Sequence, residues 1–471
     1  MSEQFDAIVI GMGPGGEVAA SHLLTAGRRV AVIEQELIGG ECGYWACIPS
    51  KTLLRPPEAS AEVERAAGVE GARLDWPATR AWRDDMIRHL DDSDQVTGYE
   101  KSGATVVRGA ARITGPGTVE VNGRTLSAPD LVIATGSDAV LPPVEGLDAV
   151  GVWTNREATT LTEIPDRVVM LGGSAVGAEL GGFLHRFGAH VTIVERSAML
   201  LSREEPRVGE PLGGRMRAEG IDVRAGVTAT AAHRDGADTV LTLDDGTQLR
   251  CDVVVVGAGR RPRTSGLGLD TIGVIPGEKG EIGVDEHCRA AEGVWAIGDV
   301  TAVMPFTHVA KYQGRIAADA ILGRPHPATY GGIPRVVFTD PEVAAVGLTQ
   351  AQAAQQGRRT TTTELDLTGA LARPWTYEQN PQGHLGLLAD PDQGVLLGAW
   401  AVAPMAGEWT TRPPWPSAPR SRSRCCSTRS PSSPPTARVS MPRWSNSTSP
   451  TPITEAHDDS CSLPGVAPDA R

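Results

Sequence analysis

The chain lacks long apolar runs, a basic patch and a signal-peptide pattern. No stretch of about 18 apolar residues occurs, so the sequence predicts no membrane-spanning helix. Acidic residues outnumber basic residues by 57 to 44, which gives a net charge of −13. No basic stripe stands out, and this argues against a nucleic-acid partner. The polar N-terminus lacks the charged and apolar regions of a signal peptide. We therefore expect a cytoplasmic protein with no membrane partner.

Cysteines are also few for a chain of 471 residues. The seven stand at positions 42, 47, 251, 288, 425, 426 and 461, which is not the spacing of a secreted disulfide framework. In a reducing compartment a close pair is catalytic or metal-binding rather than structural. Cys42 and Cys47 are therefore the candidates for chemistry. Cys251 opens the apolar run 252–256 and fits a buried, inert thiol.

The length predicts two to four domains. Two segments, 7–25 and 167–187, each combine a short apolar strand, a glycine-rich turn and a helix, and another strand follows each of them. Two such units predict two dinucleotide sites. From about residue 334 the pattern changes, which predicts a separate antiparallel α+β domain. The predicted fold class is therefore α/β, with two Rossmann-like domains and a C-terminal α+β domain.

The predicted boundaries follow these pattern changes. They are 1–150 for the first dinucleotide domain, 151–270 for the second, 271–333 for a return to the first, 334–409 for the C-terminal domain and 410–471 for a tail.

The tail differs abruptly from the rest in composition. It contains 12 Pro, 13 Ser and 8 Arg, no Lys, and neither helical nor strand periodicity. Such a segment cannot bury enough apolar surface to offset its ordering entropy, so we predict disorder. A frame shift in a GC-rich gene would explain the break. The alternative is a native Pro/Ser-rich tail, and resequencing the gene separates the two.

The first nucleotide site is predicted by glycines that directly follow a strand. Gly11, Gly13 and Gly16 fit the spacing G-x-G-x-x-G, in which the backbone turns tightly and approaches a pyrophosphate at a helix N-terminus. Glu34 ends the second strand, where a carboxylate accepts hydrogen bonds from ribose hydroxyls.

The second nucleotide site is a looser match. Its triplet is Gly172, Ser174 and Gly177, so serine replaces the middle glycine. Glu195 ends the following strand, and a carboxylate there favours a free ribose 2′-hydroxyl and therefore NADH. The adjacent Arg196 is either a solvated charge or a partner for the 2′-phosphate of NADPH.

Cys42 and Cys47 are predicted to form a redox pair. They are about one helical turn apart, so their sulfurs would meet across that turn and exchange with an external disulfide. A helix N-terminus and Lys51 would favour the thiolate. The alternatives are a metal site, for which two cysteines are too few ligands, and two structural thiols. We predict no metal.

The run from Gly39 to Lys51, G-G-E-C-G-Y-W-A-C-I-P-S-K, resembles the class I pyridine nucleotide–disulfide oxidoreductases. This family includes dihydrolipoamide dehydrogenase, glutathione reductase and mercuric reductase. Supporting matches are Ala134-Thr-Gly136, Gly257-Ala-Gly-Arg-Arg-Pro262 and Ala296-Ile-Gly-Asp299. The resemblance covers residues 1 to about 409. It implies FAD and NAD as cofactors, with NADP the alternative, and a homodimer.

The resemblance also assigns roles to single residues. Cys42 would exchange with substrate, and Cys47 would be the thiolate beside the flavin. Lys51 would approach the reactive flavin edge and pair with Glu179. The other implied cofactor contacts are Thr135, Gly136, Asp299, Thr307 and His308 for the flavin, and Gly259 and Arg260 for the nicotinamide nucleotide.

Two features depart from the family. Tyr44 and Trp45 stand between the cysteines, where smaller residues are usual. They either reshape substrate access or pack in the core. The family also ends with a His-Pro motif and a Glu that act as acid/base in the partner's site, whereas the context of His457 does not match. We therefore assign no catalytic base, and dimerisation is in doubt.

The predicted function is a FAD-dependent oxidoreductase that moves electrons between NAD(H), FAD and the Cys42–Cys47 dithiol. The leading prediction is dihydrolipoamide dehydrogenase-like activity on a small dithiol, a disulfide or another electron acceptor. The alternatives are a mercuric reductase-like enzyme, for which Cys425-Cys426 is a weak pointer, a quinone or diaphorase-type flavoprotein, and a catalytically impaired flavoprotein.

Overall fold

The computed structural model describes residues 2–376, 378–379 and 381–410. The predicted disorder of the tail, its frame-shift origin and the contexts of Cys425, Cys426 and His457 lie outside these residues. Among the helices of the described part, none is long and apolar enough to cross a bilayer.

The N-terminal third of the chain forms the parallel strands of a larger sheet, together with helices and a small mixed sheet in which β1 pairs parallel with β7. Its strands are β1 (Glu3–Gln4), β2 (Ala7–Ile10), β3 (Val30–Glu34), β4 (Thr105–Arg108), β5 (Arg112–Gly115), β6 (Thr118–Val121), β7 (Arg124–Ser127), β8 (Asp130–Ile133) and β9 (Ser137–Ala139). Its helices are α1 (Pro14–Thr25), α2 (Gly40–Tyr44), α3 (Cys47–Arg65), α4 (Trp76–Met86) and α5 (Ser93–Lys101).

The central part contains a second parallel sheet and then returns to the first. Its elements are α6 (Asn155–Thr160), β10 (Arg167–Leu171), α7 (Ala175–Arg186), β11 (His190–Glu195), α8 (Pro206–Ala218), β12 (Asp222–Ala225), β13 (Ala229–Asp235), β14 (Asp238–Leu243), β15 (Gln248–Cys251), β16 (Val253–Val256), β17 (Arg260–Pro262), β18 (Arg289–Ala291), β19 (Val294–Ala296) and α9 (Thr307–Ile321). Short 3₁₀ turns lie at Arg88–Leu90, Leu147–Ala149, Leu269–Ile272, Gly298–Thr301 and Pro374–Thr376.

The two main sheets share one design of parallel strands, apart from the edge strand β18, which pairs antiparallel with β19. The first has the order β18-β19-β8-β2-β3-β4, and the second has the order β12-β11-β10-β16. Every residue of β2 and β3 is buried, as a parallel sheet with covered faces requires. In the first sheet β2 pairs in parallel with β3, and in the second β10 pairs in parallel with β11. A glycine turn follows β2 and β10 in each case. The predicted α/β class with two Rossmann-like units is confirmed.

The C-terminal part is an antiparallel sheet with short helices. Its elements are β20 (Pro334–Val337), β21 (Glu342–Gly347), α10 (Gln350–Gln355), β22 (Thr361–Asp366), α11 (Leu367–Ala370), β23 (His384–Asp390), β24 (Val395–Ala403) and α12 (Ala406–Thr410). The strand order is β20-β21-β24-β23-β22, and all four pairings are antiparallel. Trp400 fills its core with a side chain that is 1% exposed. The predicted α+β character is confirmed.

A buried arginine ties the first unit to the second. Arg83 of α4 is 1% exposed. Its guanidinium donates to the carbonyl oxygen of Leu161 at 3.0 Å and to that of Thr159, both at the end of α6, and to the Asp84 carboxylate at 2.8 Å. Burial lowers the pKa of Arg83. Its hydrogen bonds are therefore the compensation for a costly buried charge.

We expect Arg83→Met to lower the free energy of unfolding by about 3 kcal/mol, because it leaves two buried carbonyl oxygens without donors. The measurement is chemical denaturation followed by circular dichroism. Arg80→Met is the matched control. Arg80 also donates to a carbonyl oxygen, that of Thr162, but its side chain is 44% exposed, so its loss should cost less than about 1 kcal/mol. Equal losses in the two variants would contradict the structural role of Arg83.

Candidate active site

One large cavity collects most of the predicted site residues. Its volume is about 1280 Å³. The predicted residues that line it are Gly11, Gly13, Glu34, Cys42, Cys47, Lys51, Thr135, Gly136, Glu179, Arg260, Asp299 and Thr307. Gly16, Gly172, Ser174, Gly177, Glu195, Gly259 and His308 are not among its lining residues. The first glycine turn and the cysteine pair therefore face one space, and the second glycine turn reaches it through Ala175 and Val176 at the start of α7.

The two cysteines lie in different helices. Cys42 is in α2 and Cys47 is the first residue of α3, because the helix breaks at Trp45 and Ala46, whose φ angles are −136° and −132°. The two sulfurs meet as predicted, but across a break between two helices rather than along one continuous turn. Both sulfurs also lie close to the hydroxyl of Thr307, at 3.1 Å from Cys42 and 3.2 Å from Cys47. The break places Cys47 at a helix N-terminus, where backbone N–H groups favour an anion.

The surroundings make the two thiols chemically unequal. The hydrogen bond from Cys42, with smaller contributions from Thr307 and the Lys51 charge, lowers the pKa of Cys47 to about 6. The same sulfur–sulfur contact, together with burial, raises the pKa of Cys42. The proton of the reduced pair therefore stays on Cys42, and Cys47 is a thiolate at neutral pH. Only the thiolate is a nucleophile and electron donor.

Lys51 and Glu179 form an ion pair one helical turn beyond Cys47. The Lys51 Nζ lies 2.7 Å from Oε2 of Glu179, which α7 of the second unit carries. The other carboxylate oxygen accepts the backbone N–H of Phe338 at 2.9 Å. The Lys51 ammonium also lies 4.6 Å from the centroid of the Phe338 ring. Motif reasoning found the first two residues but missed Phe338, since no local pattern connects it to Lys51.

The first glycine turn has the shape of a phosphate cradle. A Cβ at Gly11 would lie 2.4 Å from the carbonyl oxygen of Ala134, and a Cβ at Gly16 would lie 2.0 Å from that of Gly11. Only glycine fits these positions. The buried Glu34 accepts the N–H of Met12 at 2.7 Å and so holds the turn against the end of β3. The turn and the N-terminus of α1 line the cavity, so these residues fit the pyrophosphate of FAD.

The second glycine turn repeats this arrangement. A Cβ at Gly177 would lie 1.9 Å from the carbonyl oxygen of Gly172. The buried Glu195 accepts the N–H of Gly173 at 2.7 Å. The hydroxyl of Ser174 donates to the carbonyl oxygen of Gly257 at 2.8 Å, so serine closes the turn onto β16 where the motif has glycine.

Arg260 lines the cavity and contacts polar residues of the first unit. Its guanidinium donates to the Ser137 hydroxyl at 2.8 Å and to the Glu41 carboxylate at 2.7 Å, and its Nε lies 3.8 Å from Asp299. Ser137 in turn donates to Asp299 at 2.6 Å. The Arg260 side chain lines the cavity, as Ala175 and Val176 of the second turn do, and its predicted place beside the nicotinamide nucleotide stays a prediction.

Three further residues near the dithiol lie where pattern reasoning did not place them. His308 points away from the cavity and its Nε2 lies 3.0 Å from the carbonyl oxygen of Pro334, and burial lowers its pKa. Tyr44 is fully buried and its hydroxyl donates to the carbonyl oxygen of Ile38 at 3.1 Å. Trp45 packs against Arg156, with 4.2 Å from the guanidinium carbon to the ring centroid. Tyr44 therefore packs inside the protein, whereas Trp45 is half-buried, and an effect of the pair on substrate access stays a prediction.

Two other expectations concern thiols and metals. Cys251 is 1% exposed, and burial raises its pKa to about 11, which agrees with an inert thiol. Within the described ranges, no group of three or more His, Cys, Asp or Glu side chains is placed to hold a metal ion.

We expect Thr307→Val to raise the pKa of Cys47 by about one unit, from about 6 towards 7, because a hydrogen bond to a charged group is lost. The thiolate exists above this pKa, so alkylation of the reduced protein at pH 6.5 should slow several-fold. The measurement is the pH profile of iodoacetamide labelling at Cys47, resolved by peptide mass spectrometry. Thr52→Val is the control, because the Thr52 hydroxyl donates only to a backbone oxygen of α3. An unchanged profile in Thr307→Val would rule out this role.

Comparisons with known proteins agree with this geometry. Residues 5–314 match the family described as pyridine nucleotide-disulphide oxidoreductase, and residues 333–412 match the dimerisation domain of that family. Mercuric reductase of Streptomyces lividans is 34% identical over 86% of this chain and 88% of its own length. Dihydrolipoyl dehydrogenase of Thermus scotoductus is 35% identical over 86% of this chain and 89% of its own length. The structure of the HOCl-induced flavoprotein disulfide reductase RclA from Escherichia coli aligns with a TM-score of 0.75 at 26% identity, over 86% of this chain and 91% of the other.

The predicted resemblance and the predicted pair of cofactors are thereby confirmed at the level of the family, whose members use FAD and a nicotinamide nucleotide. Because the matched segments cover most of the chain, the protein belongs to the class I pyridine nucleotide–disulphide oxidoreductases.

Proposed function

We propose that the protein is a dihydrolipoyl dehydrogenase-like enzyme that couples NAD(H) to a small dithiol or disulfide through FAD and the Cys42–Cys47 pair. The observation that carries this proposal is the pair itself. Two thiols of unequal acidity share the Thr307 hydroxyl in the same cavity as the first glycine turn. A structural pair of thiols would need neither this cavity nor a lowered pKa.

The cavity offers a complete set of contacts for FAD. The first turn and Glu34 would hold the pyrophosphate and a ribose, and Thr135 and Gly136 would line the path to the flavin. Asp299 and Arg260 would bind its ribityl chain, and Lys51 would lie near its reactive edge. When bound, FAD supplies the exchange of two electrons between nicotinamide and dithiol. The protein positions the partners and tunes the thiols.

Disulfide exchange follows from the inequality of the thiols. Cys42 loses its proton and attacks a substrate disulfide, which forms a mixed disulfide and releases one substrate thiolate. The Cys47 thiolate then attacks the Cys42 sulfur, which forms the Cys42–Cys47 disulfide and releases the second thiolate. Reversal of these steps oxidises a dithiol substrate. Within residues 2–376, 378–379 and 381–410 we assign no group as the base that takes the Cys42 proton.

Two narrower statements belong to the same proposal. The match of residues 333–412 to a dimerisation domain supports a homodimer, and a thiol-based centre suits the reducing cytoplasm.

A mercuric reductase-like activity is the second candidate, since the two relatives differ by only one percentage point in identity to this chain.

We expect the purified protein to show a flavin spectrum and, during anaerobic titration with NADH, to gain a broad long-wavelength band after two electrons. The physical reason is the Cys47 thiolate, which exists above a pKa of about 6, beside the flavin. At pH 7.5 the band should be strong, and it should fade as the pH falls through 6. Cys47→Ser should abolish it. A flavin that bleaches without a band in the parent protein would favour a quinone or diaphorase-type flavoprotein.

Steady-state assays then separate the substrates. Turnover of dihydrolipoamide with NAD at about 1 to 10³ per second supports the proposal. Mercury-stimulated oxidation of NADH without dihydrolipoamide turnover favours the second candidate. A normal long-wavelength band without turnover of dihydrolipoamide and without mercury-stimulated oxidation of NADH would identify a catalytically impaired flavoprotein.

We expect NADH to exceed NADPH at least about tenfold in kcat/KM for flavin reduction. The buried Glu195 carboxylate at the end of β11 would repel a 2′-phosphate. Glu195→Gln removes the charge but keeps an acceptor for the Gly173 N–H, so it should narrow this ratio. Stopped-flow reduction with each nucleotide gives the rates.

Arg196→Gln is the control for nucleotide choice. Arg196 is exposed, and if it is a solvated charge, its replacement leaves the ratio unchanged. A parent enzyme that prefers NADPH, together with loss of that preference in Arg196→Gln, would overturn the assignment to NADH.

A further inference from the structure

Phe338 contacts both members of the ion pair beside the dithiol. Its backbone N–H donates to Oε1 of Glu179 at 2.9 Å, and its ring centroid lies 4.6 Å from the Lys51 Nζ. Oε2 of Glu179 is left for Lys51 at 2.7 Å. One residue of the C-terminal part therefore holds the anion with its backbone and the cation with its side chain.

The segment that follows β20 makes a second set of contacts with α3 and α7. Two residues beyond Phe338, the Asp340 carboxylate accepts from Arg65 at 2.7 Å and 3.0 Å and from Arg186 at 3.3 Å. Arg65 ends α3, the helix of Cys47 and Lys51, and Arg186 ends α7, the helix of Glu179. The segment after β20 thus fixes α3 and α7 relative to the C-terminal sheet.

The Lys51 ammonium needs further contacts if it is to stay at one position beside Cys47. Its ammonium is carried on a flexible stem of four carbons, and its side chain is 37% exposed. A partly exposed ion pair holds its geometry weakly. The face of an aromatic ring attracts a cation and restricts where it lies. Phe338 is itself exposed, at 39%, so its ring meets the Lys51 ammonium at the protein surface.

We propose that Phe338 is a positioning residue of the redox centre, whose ring and N–H hold Lys51 and Glu179 in place, so that the C-terminal domain sets the charge beside Cys47. This inference rests on the function proposed above. The groups that act on Cys47 are Cys42, Thr307, Lys51 and Glu179, and Lys51 and Glu179 act with opposite sign. A Lys51 ammonium that leaves the Phe338 ring therefore weakens the stabilisation of the thiolate.

The test uses the FAD-loaded full chain with Cys42→Ser, so that Cys47 is the thiol at the flavin and forms no disulfide. Phe338→Leu removes the ring face and keeps the backbone N–H, whereas Phe338→Tyr keeps both. Phe5→Leu is the matched control, because it removes a ring next to Arg29, 5.8 Å away, from another part of the chain. Lys51→Met is the positive control.

Two readouts give the pH midpoint of Cys47 in each variant. One is the long-wavelength absorbance of the oxidised protein, and the other is the alkylation rate of the Cys47 peptide. Alkylation of the buried Cys251 in the same samples reports unfolding. We expect Phe338→Leu to raise the midpoint by about half a pH unit or more. Phe338→Tyr and Phe5→Leu should match the parent.

Three outcomes would overturn the proposal. In the first, folded Phe338→Leu has the same pH midpoint of Cys47 as the parent. In the second, Phe338→Tyr raises this midpoint as much as Phe338→Leu does. In the third, the control Phe5→Leu raises it. Failure of the proposed function is distinct from these. The long-wavelength band is then absent from the parent protein with Cys42→Ser, while the alkylation profiles still decide whether Phe338 acts on Cys47.

Discussion

A single buried carboxylate fixes how three parts of the chain meet. Glu179 is 6% exposed, and a buried charge is costly unless its oxygens are paired. Lys51 and the Phe338 N–H, which are 128 and 159 residues away in sequence, supply the two partners. Neither α3 nor the end of β20 can shift from α7 without leaving that charge unpaired. The wall of the cavity beside the dithiol therefore depends on this ion pair, whose Lys51 charge adds to the larger effect of the Cys42 hydrogen bond on the pKa of Cys47.

The two glycine turns are held in place by the same kind of contact. In each, a buried glutamate at the end of the next strand accepts a backbone N–H of the turn at 2.7 Å, Glu34 from Met12 and Glu195 from Gly173. The carboxylates thus shape the turns themselves, in addition to the ribose contacts that the sequence predicts for them. This explains why an acidic residue at that distance from the glycines is so informative in sequence. Ser174 does not weaken the second turn, because its hydroxyl closes onto a neighbouring strand.

The predictable part of the site is the part encoded by neighbours in sequence. The glycine turns, the acidic strand ends and the cysteine motif each lie within short segments, and their local geometry follows from backbone sterics. The helix break between Cys42 and Cys47 was missed because it depends on tertiary contacts of Trp45. The contacts of Arg260 with Ser137 and Glu41 were missed because these partners come from distant segments. Phe338 was missed for the same reason.

The aromatic pair between the cysteines acts through the backbone. The carbonyl oxygen of Trp45 accepts from Asn155 at 2.8 Å and from Thr159 at 3.1 Å, both in α6, while its ring packs against Arg156. Trp45 therefore pins the break between α2 and α3 to the second unit. That break places Cys47 at a helix N-terminus. The carbonyl oxygen and the ring of Trp45 thus hold this break in place, and the break sets where the two sulfurs lie relative to the Thr307 hydroxyl.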